Sequence, residues 1–149
     1  KKNVTFILND RIDIAKKINV DGVHIGKEDG SIKSARNILG NLKIIGSSCY
    51  NNKNLAIKSQ NLGANYVAIG AFFKTNTKEN TTKIVLSDFK NIRKNINIPI
   101  VGIGGLDKHN IKKLIYLKPN FLAFCSSIWN TQKTPQIEIK SIKNVLDNF

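Results

Sequence analysis

Residues 4–29, VTFILNDRIDIAKKINVDGVHIGKED, contain two short apolar runs with a helix-like stretch between them. The apolar runs, 4–8 and 22–25, have the length of buried strands, and polar residues follow each of them. Between them, Ile12, Ala15 and Ile18 recur at the spacing of one helical face. The stretch therefore predicts a strand, a helix and a second, parallel strand, which is the repeating unit of an α/β fold.

The same alternation continues to the end of the chain. Further strands are predicted at residues 43–47, 66–69, 99–103 and 121–124, and further helices at 31–39, 51–62, 85–94, after Asp107 and near the C-terminus. We expect a single domain over residues 1–149, an α/β fold of the TIM (β/α)₈ barrel type with about six βα units. Because a full barrel has eight units and usually at least 200 residues, we expect the first two units to be absent.

Polar motifs follow most of the predicted strands. Because the loops after parallel strands form one face of the fold, we expect a site there that is built from several motifs. The motifs are Asn9-Asp10-Arg11, Gly26-Lys27-Glu28-Asp29, Thr75-Asn76-Thr77-Lys78, Gly104-Gly105 and Cys125-Ser126-Ser127.

Composition excludes several classes of protein. The net charge is +14, but the lysines are spread along the chain without a basic arm or an aromatic stacking platform, so we predict no nucleic-acid partner. No apolar run reaches about 18 residues and the first residues are polar, so we predict neither a membrane span nor a signal peptide. Cys49 and Cys125 form no paired motif, which indicates reduced thiols in a cytoplasmic protein.

The chemistry of the motifs points to anionic ligands. Asp10 and Asp29 follow consecutive strands, and two carboxylates with substrate phosphate oxygens are a typical Mg²⁺ arrangement. A helix cap at Asp10 and an ordinary turn at Asp29 are the alternatives. Barrels commonly bind phosphate in the loops after their last two strands, here Gly104-Gly105 and Cys125-Ser126. The two histidines, His24 on an apolar strand and His109 on a polar helix face, are predicted to be structural.

The order of the motifs, N-D-R, G-x-E-D, I-I-G-x-S, T-x-T-K, I-G-G and x-S-x-I, resembles the thiamine-phosphate synthase family. The resemblance runs from about Val4 to Ile128. It implies a magnesium-dependent transferase that joins hydroxymethylpyrimidine diphosphate to hydroxyethylthiazole phosphate and releases diphosphate. The family's opening strands, with a Q-x-R-x-K segment that grips the diphosphate, have no counterpart in this sequence.

The resemblance also implies a role for each matching residue. Asp10 and Asp29 would bind Mg²⁺, and Asn9 and Ser48 would contact the pyrimidine substrate. Lys78 would stabilise the diphosphate leaving group. Lys78 and Ser48 are the predicted catalytic residues. The remaining predicted substrate-binding residues form the thiazole phosphate site: Thr75, Asn76, Thr77, Gly105, Cys125 and Ser126.

Three alternatives stay open at this point. The related thiazole tautomerase has a histidine in the loop after the strand at 66–69 and lacks the G-x-E-D acid, whereas this loop begins Gly70-Ala71-Phe72-Phe73 and Asp29 is present. A catalytically silent phosphate-binding or regulatory paralogue would lack the pyrimidine half of the site. The chain could also be a piece of a longer gene product. Because six strands leave two edges unpaired, we also expect possible self-association into a homo-oligomer.

Overall fold

The structure, a computed structural model, describes residues 4–74 and 84–149. Strands and helices alternate along these residues, as the hydrophobic pattern predicts. The strands are β1 (Ile7–Asn9), β2 (Gly22–Ile25), β3 (Ile44–Tyr50), β4 (Tyr66–Ile69), β5 (Ile100–Gly102) and β6 (Phe121–Leu122). The helices are α1 (Ile12–Lys17), α2 (Ile32–Leu39), α3 (Lys53–Asn61), α4 (Leu86–Asn95), α5 (Ile111–Ile115), α6 (Ser126–Trp129) and α7 (Pro135–Asp147).

The six described strands form one parallel sheet in the order of the chain, β1 to β6. This sheet curves into a half-barrel covered by helices, so the predicted α/β, TIM-like architecture is confirmed. The expected absence of two opening units stays a prediction. Among the described residues, none of the helices combines the length and the hydrophobicity that crossing a bilayer requires.

Four strands, β1, β3, β5 and β6, differ in their bounds from the predicted ones, and the last two are shorter than predicted. The first begins at Ile7 because the Phe6 backbone N–H donates to the Asp21 carboxylate, 2.8 Å away, and not to a neighbouring strand. The third continues past Ser47 to Tyr50, so Ser48 lies inside β3 rather than in the loop after it. Polar residues can continue this strand because their hydroxyls have partners; Ser47, for example, accepts a hydrogen bond from Ser59 of α3 at 3.1 Å.

The core lies between the sheet and the helices. Alternate strand residues such as Val23, Ile45 and Val67 are fully buried against the helical layer, where they meet side chains such as Ala35 and Phe89. Each large apolar side chain buried in this way contributes roughly 1.5–3 kcal/mol. The helical layer therefore holds the sheet, and the strand residues that alternate with these project to the opposite face.

The opposite face, here called the inner face, carries one row of residues across four strands. Asn9 pairs with His24, His24 with Gly46, and Gly46 with Tyr66 in the parallel register. Because paired residues on neighbouring strands project to the same side, these four positions share the inner face. Ser48, two residues beyond Gly46 on β3, lies on this face as well.

Candidate functional site

Two acidic residues lie where β1 and β2 end, as the sequence predicts. Asp10 follows β1 with a positive φ of 68°, and its backbone N–H donates to the His24 carbonyl oxygen at 2.8 Å. Asp29 belongs to the turn after β2 and is half-buried. Its carboxylate accepts a hydrogen bond from the Gly26 backbone N–H at 2.9 Å, which folds the turn back onto the end of the strand.

Gly26 lies between the two carboxylates. A Cβ atom built on Gly26 would overlap Asp29 Oδ2 and would lie 4.0 Å from Asp10 Oδ1. Both acids therefore converge on the same point, which only a residue without a side chain leaves free. We call Asp10, Gly26 and Asp29 the carboxylate edge.

The carboxylate edge has the donor chemistry for Mg²⁺, which prefers oxygen ligands and usually keeps several from substrate phosphates and water. Within residues 4–74 and 84–149, no group of three or more His, Cys, Asp or Glu side chains could hold a metal ion. Two carboxylates alone do not complete an octahedral site. The residues present therefore fit a metal that arrives with, or is completed by, a phosphorylated ligand.

A hydrogen-bonded network covers the inner face next to this edge. His24 contacts Tyr66 Oη through Nδ1 and Ser48 Oγ through Nε2, each at 2.9 Å. The Tyr66 ring reaches the histidine because Gly46, which lies between them in the register, has no side chain; a Cβ there would overlap the ring. Burial raises the pKa of Tyr66 to about 12, so the phenol stays protonated at neutral pH.

The network places Ser48 differently from the sequence prediction. Ser48 is a strand residue held by His24, and not a residue of a loop that follows a strand ending at residue 47. His24 and Tyr66 are not among the predicted site residues, although they lie beside one. The signal that could have found them is the two-residue period of β2 and β4, which puts His24 and Tyr66 on the side opposite to the buried Val23 and Val67.

A cavity of about 730 Å³ opens among the loops that follow β4, β5 and β6. Three predicted substrate-binding residues, Gly105, Cys125 and Ser126, line it together. Ser127 also lines it, and the Ser127 hydroxyl oxygen is buried without a hydrogen-bond partner in the described part of the chain. We call this cavity the β5–β6 pocket. Its size and its polar side chains suit a phosphorylated small molecule.

Two glycines beside the β5–β6 pocket are explained by their backbone conformation and by close loop packing. Gly104 and Gly105 both have positive φ angles, 99° and 65°. A Cβ on Gly105 would overlap the Lys74 carbonyl oxygen, so the space beside it is filled by the loop after β4. That loop is fastened to the loop after β5, because the Phe73 backbone N–H donates to the Gly104 carbonyl oxygen at 3.0 Å. The glycines therefore allow two loops to pack closely.

The predicted residues Thr75, Asn76, Thr77 and Lys78 lie outside the described residues. Lys74, which directly precedes them in the sequence, lines the β5–β6 pocket. The structure thus brings together Asp10 with Asp29, and Gly105 with Cys125 and Ser126, at the edge of the sheet where the parallel strands end. Asn9, at the end of β1, and Ser48, on β3, lie on the inner face.

The family model and the two curated relatives described here indicate the same family. The sequence model described as thiamine monophosphate synthase matches residues 1–128. A thiamine-phosphate synthase of Pelagibacter ubique is 46% identical over 144 residues, covering 96% of this chain and 69% of that protein. A second, from Clostridium acetobutylicum, is 41% identical over 130 residues, covering 87% of this chain and 61% of that protein.

A solved structure shares the fold. The thiamine phosphate pyrophosphorylase from Pyrococcus furiosus superposes with a TM-score of 0.87 at 27% identity, over 98% of this chain and 69% of that chain. The chain thus spans between 61% and 69% of the length of these three relatives. The residues matched by the family model include the carboxylate edge, the inner face and part of the β5–β6 pocket, whose lining residues Asn130, Thr131 and Glu138 lie beyond residue 128.

Proposed function

Because the chain belongs to the thiamine monophosphate synthase family, we propose that it makes thiamine phosphate from hydroxymethylpyrimidine diphosphate and hydroxyethylthiazole phosphate. The match to this family confirms the resemblance that we inferred from the motifs. The carbon–oxygen bond to the diphosphate breaks, and a carbon–nitrogen bond to the thiazole ring forms. The protein supplies no nucleophile to this reaction.

The observation that carries the proposal is that two neighbouring carboxylates and a separate polar cavity lie at one edge of the sheet. The carboxylate edge suits a metal-bound diphosphate, and the β5–β6 pocket suits a second phosphorylated ligand. Holding two substrates with their reacting atoms adjacent removes much of the entropic barrier to joining them. One chain that offers both regions fits a two-substrate transfer better than a silent phosphate-binding protein.

Asp10 and Asp29 would hold Mg²⁺ at the carboxylate edge, and the Gly26 backbone N–H orients one of the two carboxylates. When bound, Mg²⁺ would offset the negative charge of the departing diphosphate. Lys78 would add a further positive charge on that leaving group. The G-x-E-D acid, Asp29, favours the synthase over the tautomerase alternative.

Ser48 and Asn9 would position the pyrimidine ring on the inner face. The hydrogen bond between His24 and Ser48 fixes the serine hydroxyl, and Tyr66 fixes the opposite side of the histidine ring. A side chain held in this way loses little further entropy when the substrate binds. Thr75, Asn76, Thr77, Gly105, Cys125 and Ser126 would bind the thiazole phosphate.

The test is an assay of thiamine phosphate formation with both substrates and Mg²⁺. We expect Asp10→Asn and Asp29→Asn each to lower kcat/KM at least tenfold, since each removes one of two predicted ligands. The matched control is Asp13→Asn, because Asp13 is an exposed acid paired with Arg11 on α1. Activity that survives both ligand variants would remove the metal assignment. Thiazole phosphate binding without any turnover would favour the silent paralogue.

A cytoplasmic location and the lack of a nucleic-acid partner remain predictions. Cys49 and Cys125 are both free thiols, as we expected. Burial raises the pKa of the Cys49 thiol, whereas Cys125 is exposed.

A further inference from the structure

An ion pair inside the β5–β6 pocket has no role in the function proposed above. Lys108, in the loop after β5, and Glu138, on α7, both line the cavity. The Lys108 Nζ atom lies 3.1 and 3.4 Å from the two carboxylate oxygens of Glu138. The Glu138 side chain is only 8% exposed, whereas that of Lys108 is 25% exposed.

A carboxylate that is buried this deeply needs a charged partner, because leaving it unpaired costs several kcal/mol. If the pair served only to fasten α7 to the loop, two apolar side chains would do this at least as well. A lysine ammonium has three N–H donors, and the described residues account for two, both directed at Glu138. The third donor has no partner among the described residues, and Lys108 lines the pocket.

The other charged groups that line the β5–β6 pocket leave Lys108 as the cation best placed for an anion. Lys74 and His109 are exposed on the rim. The Asp107 carboxylate already accepts the backbone N–H groups of His109 and Asn110, at 2.8 and 2.9 Å. Both acids of the pocket are thus occupied by groups of the protein. Lys108 shares the cavity with Ser127, whose buried hydroxyl has no hydrogen-bond partner among the described residues.

We propose that Lys108 binds the phosphate group of the ligand in the β5–β6 pocket, and that Glu138 is a positioning residue that holds the ammonium group there. This inference rests on the proposed function for the identity of the ligand, but it concerns a residue that none of the recognised motifs includes. Two donors bind Glu138 while the third binds the phosphate, so the lysine keeps its position when the ligand arrives.

The readout is the phosphate preference, defined as the Kd for hydroxyethylthiazole divided by the Kd for hydroxyethylthiazole phosphate, both measured by calorimetry on the full chain. We expect Lys108→Met to lower this ratio about tenfold, the loss typical of one hydrogen bond to a charged group. Lys108→Arg, which keeps a cation, should restore it to within about threefold of the original ratio. Lys112→Met is the matched control, because Lys112 is exposed on α5.

Lys108→Met leaves Glu138 buried without its partner, so this variant could fail to fold. Lys108→Met/Glu138→Gln removes both charges and is the variant to use in that case. We expect it to lower the preference as much as Lys108→Met does. Glu138→Gln alone should lower it about threefold, since the lysine remains but loses the group that holds it. Because Glu138 acts through Lys108, its substitution should add nothing once the lysine is gone.

Three outcomes separate this inference from the proposed function. An unchanged phosphate preference in the folded double variant would overturn the inference and leave the proposed function intact. In a second outcome, the unsubstituted chain does not bind hydroxyethylthiazole phosphate, but Lys108→Met lowers the affinity for inorganic phosphate. This result would support the inference and contradict the proposed function. A natural chain that binds neither ligand would overturn both.

Discussion

Gly26→Ala tests the carboxylate edge without removing either acid. The new Cβ would overlap Asp29 Oδ2 and lie 4.0 Å from Asp10 Oδ1. An ordinary carbon–oxygen contact is about 3.3 Å or longer, so the Asp29 carboxylate has to move by on the order of 1 Å. This movement also breaks its 2.9 Å hydrogen bond from the Gly26 N–H. Gly26 does not have a positive φ, so alanine can adopt the same backbone conformation.

The size of the effect follows from the role of the Gly26 N–H, which orients the Asp29 carboxylate that we propose as a Mg²⁺ ligand. Loss of such a partner typically costs about 10- to 100-fold in metal affinity. This corresponds to about 1.4–2.8 kcal/mol. We therefore expect the Mg²⁺-dependent part of the affinity for hydroxymethylpyrimidine diphosphate to fall by that factor.

The assay is calorimetric titration of the diphosphate at several Mg²⁺ concentrations. The internal control is hydroxyethylthiazole phosphate, whose affinity should not change because Gly26 does not line the β5–β6 pocket. Diphosphate binding that stays within twofold of the natural chain at every Mg²⁺ concentration would refute the reasoning. An equal loss of affinity for both ligands would also refute it, because it would indicate general unfolding.

Three further predictions concern the inner face and the edges of the sheet. Because burial raises the pKa of Tyr66 to about 12, above about 10 in an unfolded chain, the stability contributed by its protonated form is present below pH 10 and is lost as the pH rises toward 12. The free energy of unfolding, measured by urea titration between those pH values, should fall less for Tyr66→Phe than for the unsubstituted chain. Equal slopes of this free energy against pH for the two proteins would contradict the prediction. Gly46→Ala should cost about 1–3 kcal/mol, because its Cβ would overlap the Tyr66 ring. A second substitution, Tyr66→Leu, should recover part of that loss in urea unfolding, and strictly additive losses would show that the two residues do not interact. The 149-residue chain should self-associate in light-scattering experiments, because Phe6 and Phe121 are 53% and 61% exposed at or beside the two edge strands. If the chain is monomeric at all concentrations, these strand edges do not drive self-association.

The sequence by itself determined the alternation of strands and helices. Short apolar runs and one-faced helical spacings depend only on local order, so the bounds of β2 and β4 were predicted without error. The order of the motifs along the chain also identified the family, which the match of the family model to residues 1–128 confirms. The proximity of Asp10 and Asp29 follows from the sequence as well, since consecutive parallel strands end at the same edge of a sheet.

The tertiary structure decided which side chains meet. β3 continues through Ser48 because partners on α3 and β2 satisfy its hydroxyls, and no local pattern encodes a partner that is distant in sequence. The same holds for His24, whose contact with Tyr66 depends on the absence of a side chain at Gly46 on the strand between them. The Lys108–Glu138 pair joins residues 30 positions apart. Contacts of this kind arise from register and packing, and a linear pattern shows only that the residues exist.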